Sequence, residues 1–292
     1  MKGIIQYYFI ILHKNLLIRK LHTTFAENNS IIKATGGFIM TAANKGDFFI
    51  EANSVYNVTD KEYENVELLI NTAKAFARNT YQCVYIIDYF RKDFLYVSEN
   101  LALLCGEPAE KIKEFGYDLY IKHVPEKEQQ MLLEINKAGF QLANTIPPEE
   151  RVQYTISYDF HFINGKKKRL INHNLTPLLM TKDGRIWLAL CTVAISSRNT
   201  PGHIVMKKGD ESWFYEYSLE THKWTKKEAV VLTEVERDIL RLSSQGYTMN
   251  DIADKLCKSI DTIKTYKKRL FAKLEVKSIT EALSYATNYK LL

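Results

Sequence analysis

The chain has 292 residues, enough for two ordinary domains, with 46% apolar and 25% charged residues and a net charge of +6. This composition excludes a disordered chain, and the positive balance suits an anionic partner without requiring one. The four cysteines, Cys83, Cys105, Cys191 and Cys257, form no C-x-x-C, so no zinc site or redox motif has spacing support, and buried thiols in a reducing, cytoplasmic compartment are expected.

The first apolar run, IIQYYFIIL (4–12), is too short for a membrane span of about 20 residues, and no small-residue cleavage site follows it. No membrane partner is expected. Residues 1–39 lack capping signals and periodicity and are expected to be poorly ordered, with Met40 a natural alternative start. The extension is drawn to residue 59. The runner-up reading is a segment lying on a membrane surface.

Residues 60–77 read as a helix that Thr59 or Asp60 can cap. Tyr63, Val66, Ile70, Ala73 and Ala77 share one face. That face suits either its own domain or a second copy of the chain. CVYIIDY (83–89) and FLYVSEN (94–100) are strand-like and flank a polar FRKD, which predicts a hairpin. Residues 101–146 are expected to be helical or irregular. Three longer strands follow at 151–163, 169–180 and 185–195, with turns at Asn164-Gly165 and Asp183-Gly184. Pro177 implies an edge or a bulge.

This order of elements, with YVSENLALLCGEPAEKI (96–112) and IKHVPEKE (121–128), resembles the PAS family over residues 60–197. Val124 between His123 and Pro125 departs from the family pattern. The resemblance implies a sensor domain with an antiparallel sheet, able to hold a small-molecule ligand, to dimerise or to dock a partner protein. His161 and His173 lie on adjacent predicted strands. Hydrogen-bonded histidines are expected there, and at His123, in preference to ligands of a metal or haem. No cofactor is called for. Residues 198–227 read as a linker or short hairpin.

Residues 228–292 carry four helix starts. Thr233 precedes Glu236, Thr248 precedes Asp251 and Ser278 precedes Glu281, each the capping-box spacing, and Ser259 can cap alone. The predicted helices are 234–245, 249–256, 260–274 and 279–290, with Gly246 ending the first. The tight turn Leu256, Cys257, Lys258, Ser259 has helix-turn-helix spacing. At about 100° per residue, Ile263, Leu270 and Leu274 of the third helix point to one side, with Lys264, Thr265 and Lys268 opposite. From Lys258 to Lys277 there are seven basic residues against two acids. Positive charge is thus concentrated on the helix that would enter a major groove.

LTEVERDILRLSSQGYTMNDIADKLCKSIDTIKTYKKRLFAKLEVKSITEA (232–282) resembles the LuxR/GerE-type helix-turn-helix family. The matching positions include Leu232, Thr233, Glu236, Gly246, Ile252, Ala253, Leu256, Ser259, Thr262, Ile263, Lys264, Lys273, Leu274 and Glu281. The resemblance implies a transcription regulator that binds double-stranded DNA, with Thr248, Ser259, Lys264, Thr265, Tyr266, Lys267, Lys268 and Arg269 as the contact set. Lys264, Thr265 and Lys268 would meet base edges, and Thr248, Tyr266, Lys267 and Arg269 phosphates. Val235 and Tyr266 stand where the family usually has Arg and His. Tyr266 is equally suited to packing against the core. A homodimer is expected, through the Tyr63–Ala77 stripe and through Ile279, Ala282, Leu283 and Ala286. A contact with RNA polymerase is compatible with the domain, and the alternative function is an adaptor in which the helix-turn-helix serves assembly. A phosphoryl-receiver domain is excluded by the strand meander, and the common catalytic motifs are absent, so no enzyme is expected. The fold class is α+β, a PAS-like sheet domain followed by an all-α four-helix domain.

Overall fold

The computed structural model describes residues 43–292 except 210 and 290, and the expectations for residues 1–42 lie outside the described residues. Helices are α1 (Asp60–Tyr63), α2 (Val66–Arg78), α3 (Ala102–Cys105), α4 (Ala109–Phe115), α5 (Asp118–His123), α6 (Glu126–Thr145), α7 (Glu234–Ser244), α8 (Met249–Lys255), α9 (Ile260–Leu274) and α10 (Ile279–Asn288). Strands are β1 (Cys83–Asp88), β2 (Asp93–Val97), β3 (Tyr154–Asn164), β4 (Lys167–Met180), β5 (Ile186–Ile195), β6 (Gly202–Lys208), β7 (Trp213–Ser218) and β8 (Lys223–Glu228). They make one antiparallel sheet in the order β2-β1-β5-β4-β3-β6-β7-β8. With α3–α6 inserted between β2 and β3, the first five strands form the expected PAS-like domain, and the chain is α+β.

Local chemistry sets these elements. Gly165 takes the positive φ (57°) that a two-residue hairpin needs between β3 and β4. Pro177 lies in β4, between β3 and β5, and is accommodated by a register shift beside it rather than by an edge position. The inner face of the sheet carries Tyr85, Phe160, Phe162, Ile171 and Cys191, all fully buried with the helices over them. Phe140 of α6 meets Tyr89 edge-on at 5.0 Å between centroids.

Two boundaries differ from the sequence expectation. Residues 43–59 are part of the fold: Phe48 (4% exposed) packs on Tyr117 and Tyr120, and its carbonyl accepts from Asn136 Nδ2 at 2.8 Å. The supposed linker or short hairpin at 198–227 instead adds β6, β7 and β8 to the same sheet, although β7 and β8 are indeed a hairpin. The cause is α6. Its 20 residues reach about 30 Å, far enough for Tyr217 to donate to Glu134 at 2.9 Å and for Trp224 Nε1 to donate to the Ala138 carbonyl at 3.2 Å. Tyr217 and Trp224 are therefore held by a helix of the preceding domain, while Phe214 faces the other side of the sheet.

The predicted first helix breaks between α1 and α2. Tyr63 donates to Asp88 Oδ2 at 2.5 Å and meets Trp187 edge-on, while Val66, Ala73 and Ala77 are buried against the main core. The stripe expected as a dimer seam thus covers its own sheet. Leu68 (70% exposed) lies on the opposite, solvent side of α2, and Phe76 (46%) is exposed at the flank of the stripe.

Candidate nucleic-acid interface

The C-terminal helices are built from their caps inward. Thr233 accepts from the Glu236 amide while Glu236 accepts from the Thr233 amide at 2.8 Å, and Thr248 and Asp251 reciprocate in the same way. Glu281 instead turns its carboxylate to the Lys277 amide at 2.9 Å. α7 ends with Gly246 at φ 84°, and Tyr247 N donates to the Leu242 carbonyl. α8 ends in the same motif with Cys257 in the left-handed position (φ 51°) and Lys258 N donating to the Ala253 carbonyl at 2.9 Å. Ser259 then caps α9, accepting from Thr262 N at 3.2 Å. This fixes the α8–α9 turn at four residues, a helix-turn-helix.

Two small cores hold α9. Ile263 packs with Ile239, Ile252 and Ala253, and Leu270 and Leu274 pack with Leu232, Leu240, Ala282 and Ala286. At the C-terminal end of α9, Lys273 Nζ lies 2.8 Å from Glu236 Oε2. Burial opposes ionisation of Glu236, but Lys273 and the Thr233 cap outweigh it and hold the carboxyl below its usual range. Ala282 and Ala286 are fully buried in their own domain, which removes them from the second dimer seam expected from sequence.

The remaining surface of α9 is basic. Lys264, Thr265, Lys268 and Arg269 are exposed, and Lys267 and Tyr266 are half-buried. Lys264 lies 3.0 Å from Asp261, both exposed, a contact worth little in water. Thr265 Oγ1 donates to the Asp261 carbonyl at 2.9 Å. Among the described residues, Lys268 and Arg269 form no ion pair within 4.0 Å. Tyr266 packs on the Ile239–Ile263 core with its ring 6.0 Å from Lys258 Nζ. Thr248 and Ser259 are exposed at the starts of α8 and α9, where unpaired amides favour an anion. Of the eight residues, Thr248 and Ser259 sit at the starts of α8 and α9 and the other six along α9, with Tyr266 partly withdrawn into the core.

In the sheet domain, the histidines do not converge. His161 bonds Glu128 at 2.8 Å, His123 bonds the Ile163 carbonyl at 3.0 Å, and His173 Nε2 lies 2.5 Å from Tyr85 Oη. Burial pushes His173 down to about 3, so the ring stays neutral. No motif announced the Tyr85–Tyr120–His173 cluster, since it joins residues from three separate elements.

Residues 230–286 match the family model of bacterial regulatory proteins, luxR family. Over 194 residues the chain is 26% identical to the oxygen regulatory protein NreC of Staphylococcus haemolyticus, a stretch covering 64% of this chain and 83% of that relative. Over 62 residues it is 40% identical to NreC of Staphylococcus epidermidis, 21% of this chain and 28% of that relative. Among solved structures it is similar to the Vibrio cholerae VqmA dimer, at 16% identity, covering 76% of this chain and 88% of that chain with a TM-score of 0.29. Residues 230–286 of this chain are a helix-turn-helix domain of the luxR family of bacterial regulatory proteins.

Proposed function

We propose that this protein is a transcription regulator that binds specific double-stranded DNA through α9 and is controlled by its PAS-like domain. The observation that carries the reading is the exposed basic face of α9, held outward by Ile263, Leu270 and Leu274 on the other side. Lys264, Thr265 and Lys268 would read base edges in the major groove. Thr248, Ser259, Lys267 and Arg269 would hold phosphates, with Tyr266 contributing its hydroxyl from a half-buried ring. An adaptor whose helix-turn-helix served only assembly would not need this concentration of positive charge.

The regulator would act as a homodimer, because one helix-turn-helix makes few contacts and two half-sites raise selectivity. With the stripe of α2 occupied by its own sheet, the seam falls on its exposed apolar residues, Leu68 and Phe76. Light scattering of Leu68→Glu/Phe76→Glu should then report a monomer, and a persisting dimer would place the seam elsewhere. A small-molecule signal is the natural input. The core cavity between α6 and the sheet, lined by Ile135, Phe140, Tyr158, Leu175 and Met206, has only about 50 Å3, room for a few waters, so a larger occupant there would have to displace α6.

The test of DNA binding is retention of duplex DNA by the full chain at rising salt. Counterion release predicts a steep linear fall of log affinity with log salt concentration. Lys264→Ala/Lys268→Ala should lose roughly 2–6 kcal/mol of specific binding at about 1–3 per base-reading contact. Unchanged affinity in that variant, with folding intact, would overturn the assignment.

A further inference from the structure

The outer face of the sheet has two parts. Over β1, Ala73 and Ala77 of α2 form an apolar cover. Over β3 and β4 there is a polar ladder. Asn172 Nδ2 donates to Ser157 Oγ and to Asp159 Oδ1, each at 3.1 Å, and the hydroxyls of Thr155 and Thr176 meet at 2.7 Å. Facing the ladder are Tyr285 and Tyr289 of the C-terminal domain, stacked at 4.3 Å between centroids. The space between is a cleft of about 420 Å3, within the roughly 300–1,000 Å3 range of small-molecule sites.

Two opposite charges line this cleft without forming a close ion pair, although Arg198 favours the charged form of Asp159. Asp159 is 2% exposed, and burial pushes its carboxyl up to about 6. The Arg198 guanidinium lies 4.9 Å from the Tyr285 ring centroid and reaches both tyrosine hydroxyls, yet its buried Nε has no hydrogen-bond partner. Among the described residues, no ion pair within 4.0 Å joins Asp159 to Arg198. Asp159 keeps its Asn172 donor and half-buried Arg198 its two tyrosines, so the unmet demand is that of the buried Arg198 Nε and of a carboxylate with little access to water. A ligand carrying an ammonium and a carboxylate in close succession would complement both groups at once, which a ligand with a single charge would not.

We propose that this cleft binds a free α-amino acid, its ammonium on Asp159 and its carboxylate on Arg198, with Asn174 and Thr176 beside its side chain. The site lies on the opposite face of the sheet from the core cavity. One wall is the sensor sheet and the other is the last helix of the DNA-binding domain, so an occupant touches both. The assignment gives the sensor reading its ligand class and rests on that reading for its regulatory meaning, though not for binding itself.

The test is isothermal titration calorimetry of the full chain with each of the proteinogenic L-amino acids. At least one should give saturable heat, and its decarboxylated amine and its deaminated acid should each bind at least about thirtyfold more weakly, as loss of one partner from a desolvated charge pair predicts. Asp159→Asn and Arg198→Gln should separately cause losses of the same order, with thermal melting checked for both. Because Arg198 is outside the core, its variant carries the test if Asp159→Asn does not fold. Absence of saturable heat with every amino acid would overturn the proposal. So would equal binding of the amine or acid analogue, or wild-type affinity in Arg198→Gln. A bound amino acid that leaves DNA affinity unchanged would uphold the site and refute the sensor reading.

Discussion

Lys273→Met isolates the contact that ties the recognition helix to α7. Glu236 has an 8% exposed side chain and accepts from the Thr233 amide and from Lys273 Nζ, both at 2.8 Å. Removing the ammonium leaves a carboxylate largely out of water with only its cap donors. Breaking a fully buried pair costs about 3–5 kcal/mol. The Lys273 side chain is 34% exposed, so water screens part of that loss and about 2 kcal/mol is expected. All three tryptophans, Trp187, Trp213 and Trp224, belong to the sheet, so their fluorescence is blind to this change. Hydrogen exchange of the amides in α7 and α9 reads it directly. The pH dependence has a definite sign. The Glu236 carboxyl is held below its usual range, so its stabilisation is complete above about pH 5 and disappears as pH falls through the folded value. The deficit of Lys273→Met should therefore shrink in acid, and it should vanish at neutral pH in a Glu236→Gln background. An equal loss of protection in that background would refute the reasoning.

Cys257 occupies a left-handed helix end exposed to solvent. Cys257→Gly should stabilise the C-terminal domain by roughly 0.5–1 kcal/mol, the difference between the strain removed and the chain entropy added, and a lower melting temperature would contradict this. His173 is neutral in the fold and protonates on unfolding, so its contribution is lost as pH drops from 6.5 toward about 3. Between pH 7 and pH 5 the wild type should lose about 2 kcal/mol more than His173→Gln, by 1.36 kcal/mol per pKa unit. Asp159, raised to about 6, acts in the opposite direction in both proteins, so the comparison between them is the measurement, and parallel pH curves would show that His173 does not titrate as argued.

The C-terminal domain was legible because its information is local. The acid three residues after Thr233 and after Thr248 closes a capping box in both cases, and the spacing of Ile263, Leu270 and Leu274 names the buried side of α9. The sheet was legible only strand by strand. That β6 pairs with β3, Tyr154 against Lys208, depends on residues more than fifty positions apart, and nothing in 198–227 alone distinguishes a linker from an added strand. Periodicity located the α2 stripe but could not say what covers it, since a sheet and a second helix accept the same spacing. Phe48-Phe49-Ile50 and Val55-Tyr56 are short apolar runs without a period, which is why 43–59 read as an extension. The polar ladder did leave a signal: Thr155, Ser157 and Asp159 alternate with Tyr154, Ile156 and Tyr158. Alternation marks a polar outer face, but it does not reveal that the C-terminal tyrosines enclose it.

Selection of bound duplexes from a random pool by the full chain, followed by sequencing, tests the central claim most directly. The account predicts an enriched two-fold symmetric site with half-sites about 10 base pairs apart, with enrichment lost in Lys264→Ala/Lys268→Ala while Lys267→Ala weakens all sequences alike. A pool that stays random under the wild-type protein, or an enriched site that survives in the double variant, would contradict it.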